Sequence, residues 1–210
     1  REGLSCVIAF DPGAAHLSAR IGDTTFPLSQ VAEHAGLFAG QVPDTGAYAL
    51  HGSAHGADWA YDDAYRFPPV LGEMDEYLLG EGTHQRLWQA LGAHVITHEG
   101  VKGTHFAVWA PNAGRVAVLG PFNHWDGRRH GMRRRGATGV WEIFLPAGGE
   151  GSPYKFQITG PDGEVQPLKA DPVGFGAEHP PATASIVRES AGYGWHDGAW
   201  MQGRAGNNGR

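Results

Sequence analysis

Three groupings in the chain have residue types suited to chemistry. His51 with His55, and His94 with His98, are each four apart, the spacing at which two imidazoles on one helix face hold a metal ion. Gly52 and Gly56 argue against a helix around the first pair, and Val95-Ile96-Thr97 reads as a strand through the second, so neither is expected to bind metal. Glu73, Asp75 and Glu76 offer carboxylates for acid/base work, but without a cleft-forming context they read as loop or helix-capping charges. Arg128-Arg129-His130 with Arg133-Arg134-Arg135 is a basic cluster of the kind that meets phosphate. No nucleic-acid-binding motif surrounds it and the net charge is −6, so the expectation is a solvated loop or a contact with a domain outside this chain, and no nucleic-acid partner.

The elements that must position such groups repeat. Phe10-Asp11-Pro12 corresponds to Trp109-Ala110-Pro111, and Gly36-Leu37-Phe38 to Gly139-Val140-Trp141. Tyr48-Ala49-Leu50 corresponds to Tyr154-Lys155-Phe156, and Asp63 through Phe67 to Asp171 through Phe175. The order is kept while separations differ by a few residues, as an internal duplication with loop insertions would give. Within each copy, short β-branched and aromatic runs are divided by Gly, Pro, Asn and Asp, the pattern of an antiparallel sandwich. Leu4–Phe10, Val116–Leu119, Trp141–Leu145 and Tyr154–Ile158 read as strands; Trp141, Ile143 and Leu145 share one face and Glu142 takes the other. Trp109 and Trp141 are both expected in the core. Between the copies, His84–Leu91 reads as a short helix with Thr83 as N-cap, Gly92 as its stop, and Leu87 and Leu91 as its buried stripe.

The fold class is therefore all-β: two tandem immunoglobulin-like β-sandwiches joined by a connector with one short helix. The expected divisions are 1–72, a first sandwich truncated at its start; 73–98, the connector; 99–190, the second sandwich; and 191–210, a linker. The chain opens on Arg1 with a strand almost under way and closes on a Gly/Asn-rich stretch from Gly203, so it is expected to be truncated at both ends. With 41% hydrophobic residues among 210, there is material for one large or two ordinary cores. Cys6 is the single cysteine and no Asn-x-Ser/Thr acceptor occurs, which fits a reducing cytoplasm. No apolar run approaches the ~20 residues of a membrane span, so no membrane partner is expected.

Tyr65-Arg66-Phe67-Pro68-Pro69-Val70-Leu71-Gly72-Glu73-Met74-Asp75 and Gly80 through His94 closely resemble the segment joining the two N-terminal modules of bacterial 1,4-α-glucan (glycogen) branching enzymes. The resemblance continues through Phe106–Ala113, Phe122–His130, Lys169–Pro172 and Pro181–Ser185. It implies that the second sandwich is similar to a glycogen-binding carbohydrate module, and that an α-amylase-type barrel carries the chemistry elsewhere. That chemistry is a retaining transfer in which an Asp nucleophile takes an α-1,4-glucan segment, a Glu serves as acid/base and a glucan 6-hydroxyl accepts it. None of the family's catalytic motifs occurs in these 210 residues, so the chain alone is expected to be inactive and to need no cofactor.

By the same resemblance, Asn123, Trp125 and Lys155 match positions that contact sugar: an aromatic face against pyranose C–H groups, with amide and ammonium groups bonding hydroxyls. Trp125 has a second reading, packing against the barrel or its own sheet, and Lys155 that of a solvated strand lysine. Val165 stands after Asp162-Gly163-Glu164 where strongly binding relatives place another aromatic, which implies weaker affinity. Two roles follow. Either the chain positions glucan or glycogen for the enzyme, or its sandwiches brace the barrel with little affinity of their own.

Overall fold

A computed structural model describes residues 3–32, 34–43, 47–189, 194 and 196–204. In chain order the elements are β1 (Leu4–Phe10), β2 (His16–Ile21), β3 (Thr24–Gln30), β4 (Leu37–Pro43), β5 (Ala49–Ala54), β6 (Ala57–Asp62), α1 (Glu73–Gly80), α2 (Leu87–Ala90) and β7 (Gly92–His98). There follow β8 (Val101–Trp109), β9 (Arg115–Leu119), β10 (Arg133–Arg134), β11 (Val140–Leu145), β12 (Pro153–Thr159), β13 (Ser185–Ile186) and α3 (Gly198–Arg204). The chain is mostly β, its ladders antiparallel throughout. Helix α3 ends just before the rest of the Gly/Asn-rich stretch, which lies outside the described residues.

The first six strands form one continuous sheet in the order β1-β4-β3-β2-β5-β6. Strand β3 pairs with β2 over Thr24–Leu28 and with β4 only through Ser29 and Gln30, so it carries the chain from one layer to the other. Val7, Leu28, Phe38, Leu17 and Leu50, drawn from both layers, close on one core. The second sandwich has two separate sheets, β10-β11-β8-β7 and β13-β12-β9. Phe106, Val116, Val118, Ile143, Tyr154 and Phe156 fill the space between them, each large side chain contributing roughly 1.5–3 kcal/mol by leaving water.

The duplication is visible as geometry. Phe10 pairs with Leu37 as Trp109 pairs with Val140. Asp11 N–H donates to Gly36 O at 2.8 Å, and Ala110 N–H to Gly139 O at 2.8 Å. The Tyr48 hydroxyl donates to Asp63 Oδ2 while Asp63 Oδ1 accepts from Tyr65 N–H at 2.9 Å. In the second copy the Tyr154 hydroxyl donates to Asp171 Oδ2 at 2.7 Å, and Asp171 Oδ1 accepts from Val173 N–H at 2.8 Å. Burial, then the adjacent carboxylate, pushes both phenols far above their ordinary range. Tyr154→Phe leaves a buried carboxylate oxygen short of a donor and is expected to cost about 1–2 kcal/mol. Urea unfolding measures it; a midpoint equal to wild type would mean that Asp171 finds another partner.

The connector departs from expectation. Its main helix is α1, and residues 84–86 are not helical. Thr83 N–H bonds Leu78 O at 2.9 Å and Gly82 N–H bonds Leu79 O at 3.2 Å, with Gly82 at φ 70°. Gly82-Thr83 is thus the stop of the helix upstream, a Schellman closure, and not the start of one downstream. Only Leu87–Ala90 makes a further turn; Leu91 is buried, but Leu87 is 45% exposed. Leu71, Ala90 and Leu91 pack on Ala107 and Val140, the face of the β8-β11 sheet that points away from the sandwich core. That cover is why every residue of β11 is buried.

Trp109 is the second departure. Trp141 lies opposite Val108 in the β8-β11 register, and both belong to the core. Trp109, one residue on, must take the other face, where it lies 59% exposed with its indole N–H donated to Thr138 O at 3.2 Å.

Candidate functional site

Strand β9 leads into a tight turn over Pro121–Asn123, after which His124 and Trp125 both take left-handed backbone conformations at φ 55° and 58°. Such conformations cost free energy for residues with a Cβ and persist where neighbouring bonds hold them. Asn123 supplies those bonds. It is fully buried; its Oδ1 accepts from Gly120 N–H at 3.0 Å and its Nδ2 donates to Val118 O at 2.9 Å, with His130 Nδ1 at 3.1 Å. Trp125 N–H donates to Gly120 O at 3.0 Å, and the Trp125 side chain emerges 39% exposed. The amide of Asn123 is therefore spent inside the loop, and what it presents outward is Trp125.

Lys155 stands on β12 opposite Leu119, the residue before the Gly120 turn. Tyr154 and Phe156 point into the core, so Lys155 and Gln157 project from the outer face. The Lys155 ammonium donates to Thr183 Oγ1. Gln157 closes against Gly127, two residues past Trp125: a Cβ on that glycine would lie 1.9 Å from Gln157 Oε1. One outer face thus carries the Trp125 loop, the Lys155 ammonium tethered to Thr183, and Gln157. Sequence reading missed Gln157 and Thr183, although Gln157's even spacing from Lys155 was a usable signal. Asp126 ends the loop in a two-point ion pair with Arg128, whose hydrogen bonds hold its carboxyl down at about 2. Val165 is 58% exposed beside Thr159.

Three arginines of the basic cluster are not solvated, while Arg128 and Arg134 stay exposed. Arg129 reaches Asp11 of the first sandwich at 3.3 Å. Arg133 donates to Phe67 O at 2.6 Å and to Tyr65 O, and Arg135 donates to Leu71 O at 3.1 Å and Glu76 Oε2 at 2.7 Å. These arginines tie the second sandwich to the first and to the connector. Among the acidic candidates, Asp75 faces His84 at 3.1 Å and Glu76 faces Arg135, all on the first turn of α1 or against it. Of the histidines, His94 bonds Leu91 O and His98 bonds Pro68 O, at 2.9 and 3.0 Å. No described helix is long and apolar enough to cross a membrane.

A second feature lies at the C-terminal end of β8: a cavity of about 450 Å³ lined by Leu78, Leu79, Leu87, Leu91, Trp109 and Val173. Trp88 is also exposed nearby in sequence, at 52%.

Residues 90–174 match the family model described as carbohydrate-binding module 48 (isoamylase N-terminal domain). The chain is 56% identical over 206 residues to the 1,4-alpha-glucan branching enzyme GlgB of Roseobacter denitrificans, covering 97% of this chain and 27% of that protein. It is 50% identical to the enzyme of the same name from Cereibacter sphaeroides, over 94% of this chain and 28% of that protein, and 48% identical to that from Rhodospirillum rubrum, over 97% and 28%. The chain therefore spans somewhat over a quarter of the length of these relatives. Among solved structures, Klebsiella pneumoniae pullulanase complexed with maltotriose aligns over 87% of this chain and 20% of its own at a TM-score of 0.38 and 17% identity, too loose a likeness to add to the fold. By identity over nearly its whole length, and by the carbohydrate-binding module within it, the chain corresponds to the N-terminal region of 1,4-alpha-glucan branching enzymes.

Proposed function

We propose that this chain is a non-catalytic glucan-positioning region, and that its second sandwich holds α-1,4-glucan or glycogen on the outer face of β9 and β12. Trp125 is the stacking platform, Lys155 the hydroxyl-bonding cation, and Asn123 the residue that fixes the loop carrying the platform. The supporting observation is Trp125 itself: a large aromatic that is 39% exposed on a turn tied down by Asn123. Mobile side chains lose entropy on stacking against sugar, whereas a ring already held loses less. In a protein of the relatives' length, the proposed activity is transfer of α-1,4-glucan segments to make α-1,6 branches in the cytoplasm, with catalysis outside these 210 residues.

A second reading has its own observation. Trp109 and the 450 Å³ cavity beside it form an apolar surface that does not include Trp125, and a bracing contact with a catalytic barrel would cover it. Affinity electrophoresis through glycogen separates the two. The chain is expected to be retarded, and Trp125→Ala to weaken binding about tenfold or more, the loss of one stacked aromatic. A wild-type chain that migrates identically with and without glycogen would leave bracing as the better account.

A further inference from the structure

The two sandwiches enclose a cleft of about 670 Å³ whose walls include neither Trp125 nor Lys155. On the first sandwich, Trp59 and Tyr61 sit two apart on edge strand β6 and so share a face. Both are anchored to one oxygen: the Trp59 indole N–H and the Tyr61 hydroxyl donate to Asp11 Oδ2 at 3.0 and 3.2 Å. Asp11 is 3% exposed and holds Arg129, from the second sandwich, on its other oxygen. The opposite wall comes from His124, Arg129 and His130. The same carboxylate thus fixes an aromatic pair and locks the two walls together.

Charge decides the kind of ligand. Arg129 is neutralised by Asp11, and burial, then Arg129, pushes His130 down to about 4, so its imidazole is uncharged near neutrality. A cleft whose charges are internally paired offers an anion or cation little, while aromatic faces with imidazole and phenol groups suit a neutral polyhydroxylated chain. Position decides its source. His124 lines the cleft and is followed directly by the exposed Trp125, both on the same constrained turn.

We propose that the inter-module cleft is a second glucan subsite, continuous with the Trp125 platform, in which Trp59 and Tyr61 receive the part of a longer α-1,4-glucan that extends past His124. This rests on the reading of Trp125 as a sugar platform. Short oligosaccharides occupy Trp125 alone, and longer ones gain the cleft. The cavity volume is within the roughly 300–1,000 Å³ range of small-molecule sites.

The test is calorimetric titration of the 210-residue chain with maltotriose and with maltoheptaose. Two variants address the cleft: Trp59→Leu removes the flat ring while keeping an apolar side chain, and Ala147→Leu fills the cleft from an exposed position on its wall. Each is expected to weaken maltoheptaose about fivefold to tenfold and to leave maltotriose unchanged, a length dependence that general loosening of the fold would not produce. If both variants bind maltoheptaose as wild type does while Trp125→Ala does not, the subsite is overturned and the platform stands. If Trp125→Ala retains maltotriose binding, the platform itself fails.

Discussion

Glu142→Ala is expected to destabilise the chain by about 3–5 kcal/mol, the usual cost of removing one partner from a buried ionic cluster. Glu142 is 1% exposed on the connector face of β11. Its Oε2 accepts from the amides of Val70 and Leu71, both at 3.1 Å, and from His105 Nε2 at 2.8 Å. Its Oε1 lies 3.1 Å from Arg135 Nε, close enough for charge attraction but misaligned for a hydrogen bond, so neither atom has a hydrogen-bonding partner. Alanine would strand two amides and an imidazole under the connector and leave Arg135 held by Leu71 and Glu76 alone, and the connector should then open. Urea unfolding reports the stability, and limited proteolysis within 72–86 reports the opening; a variant with wild-type values in both would sink this account of how the connector is held.

The same cluster predicts an acid response. Burial alone would raise the Glu142 carboxyl, but the bonds from His105 and from the Leu71 and Val70 amides outweigh it and hold the group below the usual carboxylate range. A depressed carboxylate contributes stability that is present above the unfolded value, about 4.3, and lost as pH falls through the folded value. Wild-type stability should therefore drop below about pH 4 more steeply than that of Glu142→Gln, which has no charge to lose there. Parallel curves for the two proteins would show that the cluster does not govern acid lability.

Gly36→Ala and Gly139→Ala are expected to cost about 2–3 kcal/mol each, each in its own sandwich. The two glycines occupy equivalent corners at φ 83° and 77°, and each offers its carbonyl to the residue before a proline. A Cβ would lie 2.6 Å from Pro12 Cα in the first corner and 2.7 Å from Pro111 Cβ in the second. Left-handed backbone and contact with a rigid proline act together, and neither neighbour is a flexible side-chain end that can move away. Hydrogen exchange would localise each loss. Equal losses confined to the mutated sandwich are the expected outcome; a silent Gly36→Ala would mean that the repeated order is not a repeated mechanical role.

Several features needed only the sequence because the physics that makes them is local. The alternation in Leu4–Phe10 and the Gly, Pro and Asp punctuation specify strands and corners from neighbouring residues, and β1 has those bounds. The four-part repeat was legible because the same residue types recur in the same order; the contacts they make, such as the tyrosine–aspartate bonds that span 15 and 17 residues, were not. The family was legible from the connector segment, and the residues proposed for sugar contact came with it.

Other features depend on partners remote in sequence. Alternation says that Trp109 and its neighbours face opposite sides of a strand, but not which side is inside; the pairing of Trp141 with Val108 made that choice and put Trp109 outside. Gly82-Thr83 suits a helix start as well as a helix stop, and the packing of α1 and Leu91 around the second sandwich favoured the stop. Asn123 has the chemistry of a sugar ligand, and although Val118 and Gly120, which take its amide, are near in sequence, only the folded turn shows that its side chain points inward to them. A run of arginines reads as solvated until the first sandwich brings Asp11, Tyr65, Phe67 and Leu71 against it. Local sequence determined which backbone shapes and side-chain types were present. Burial and charge pairing depend on surfaces that meet only in the fold: strand pairing within the second sandwich decided the place of Trp109, and docking against the first sandwich and the connector, through contacts spanning 64 to 118 residues, decided the partners of the arginines.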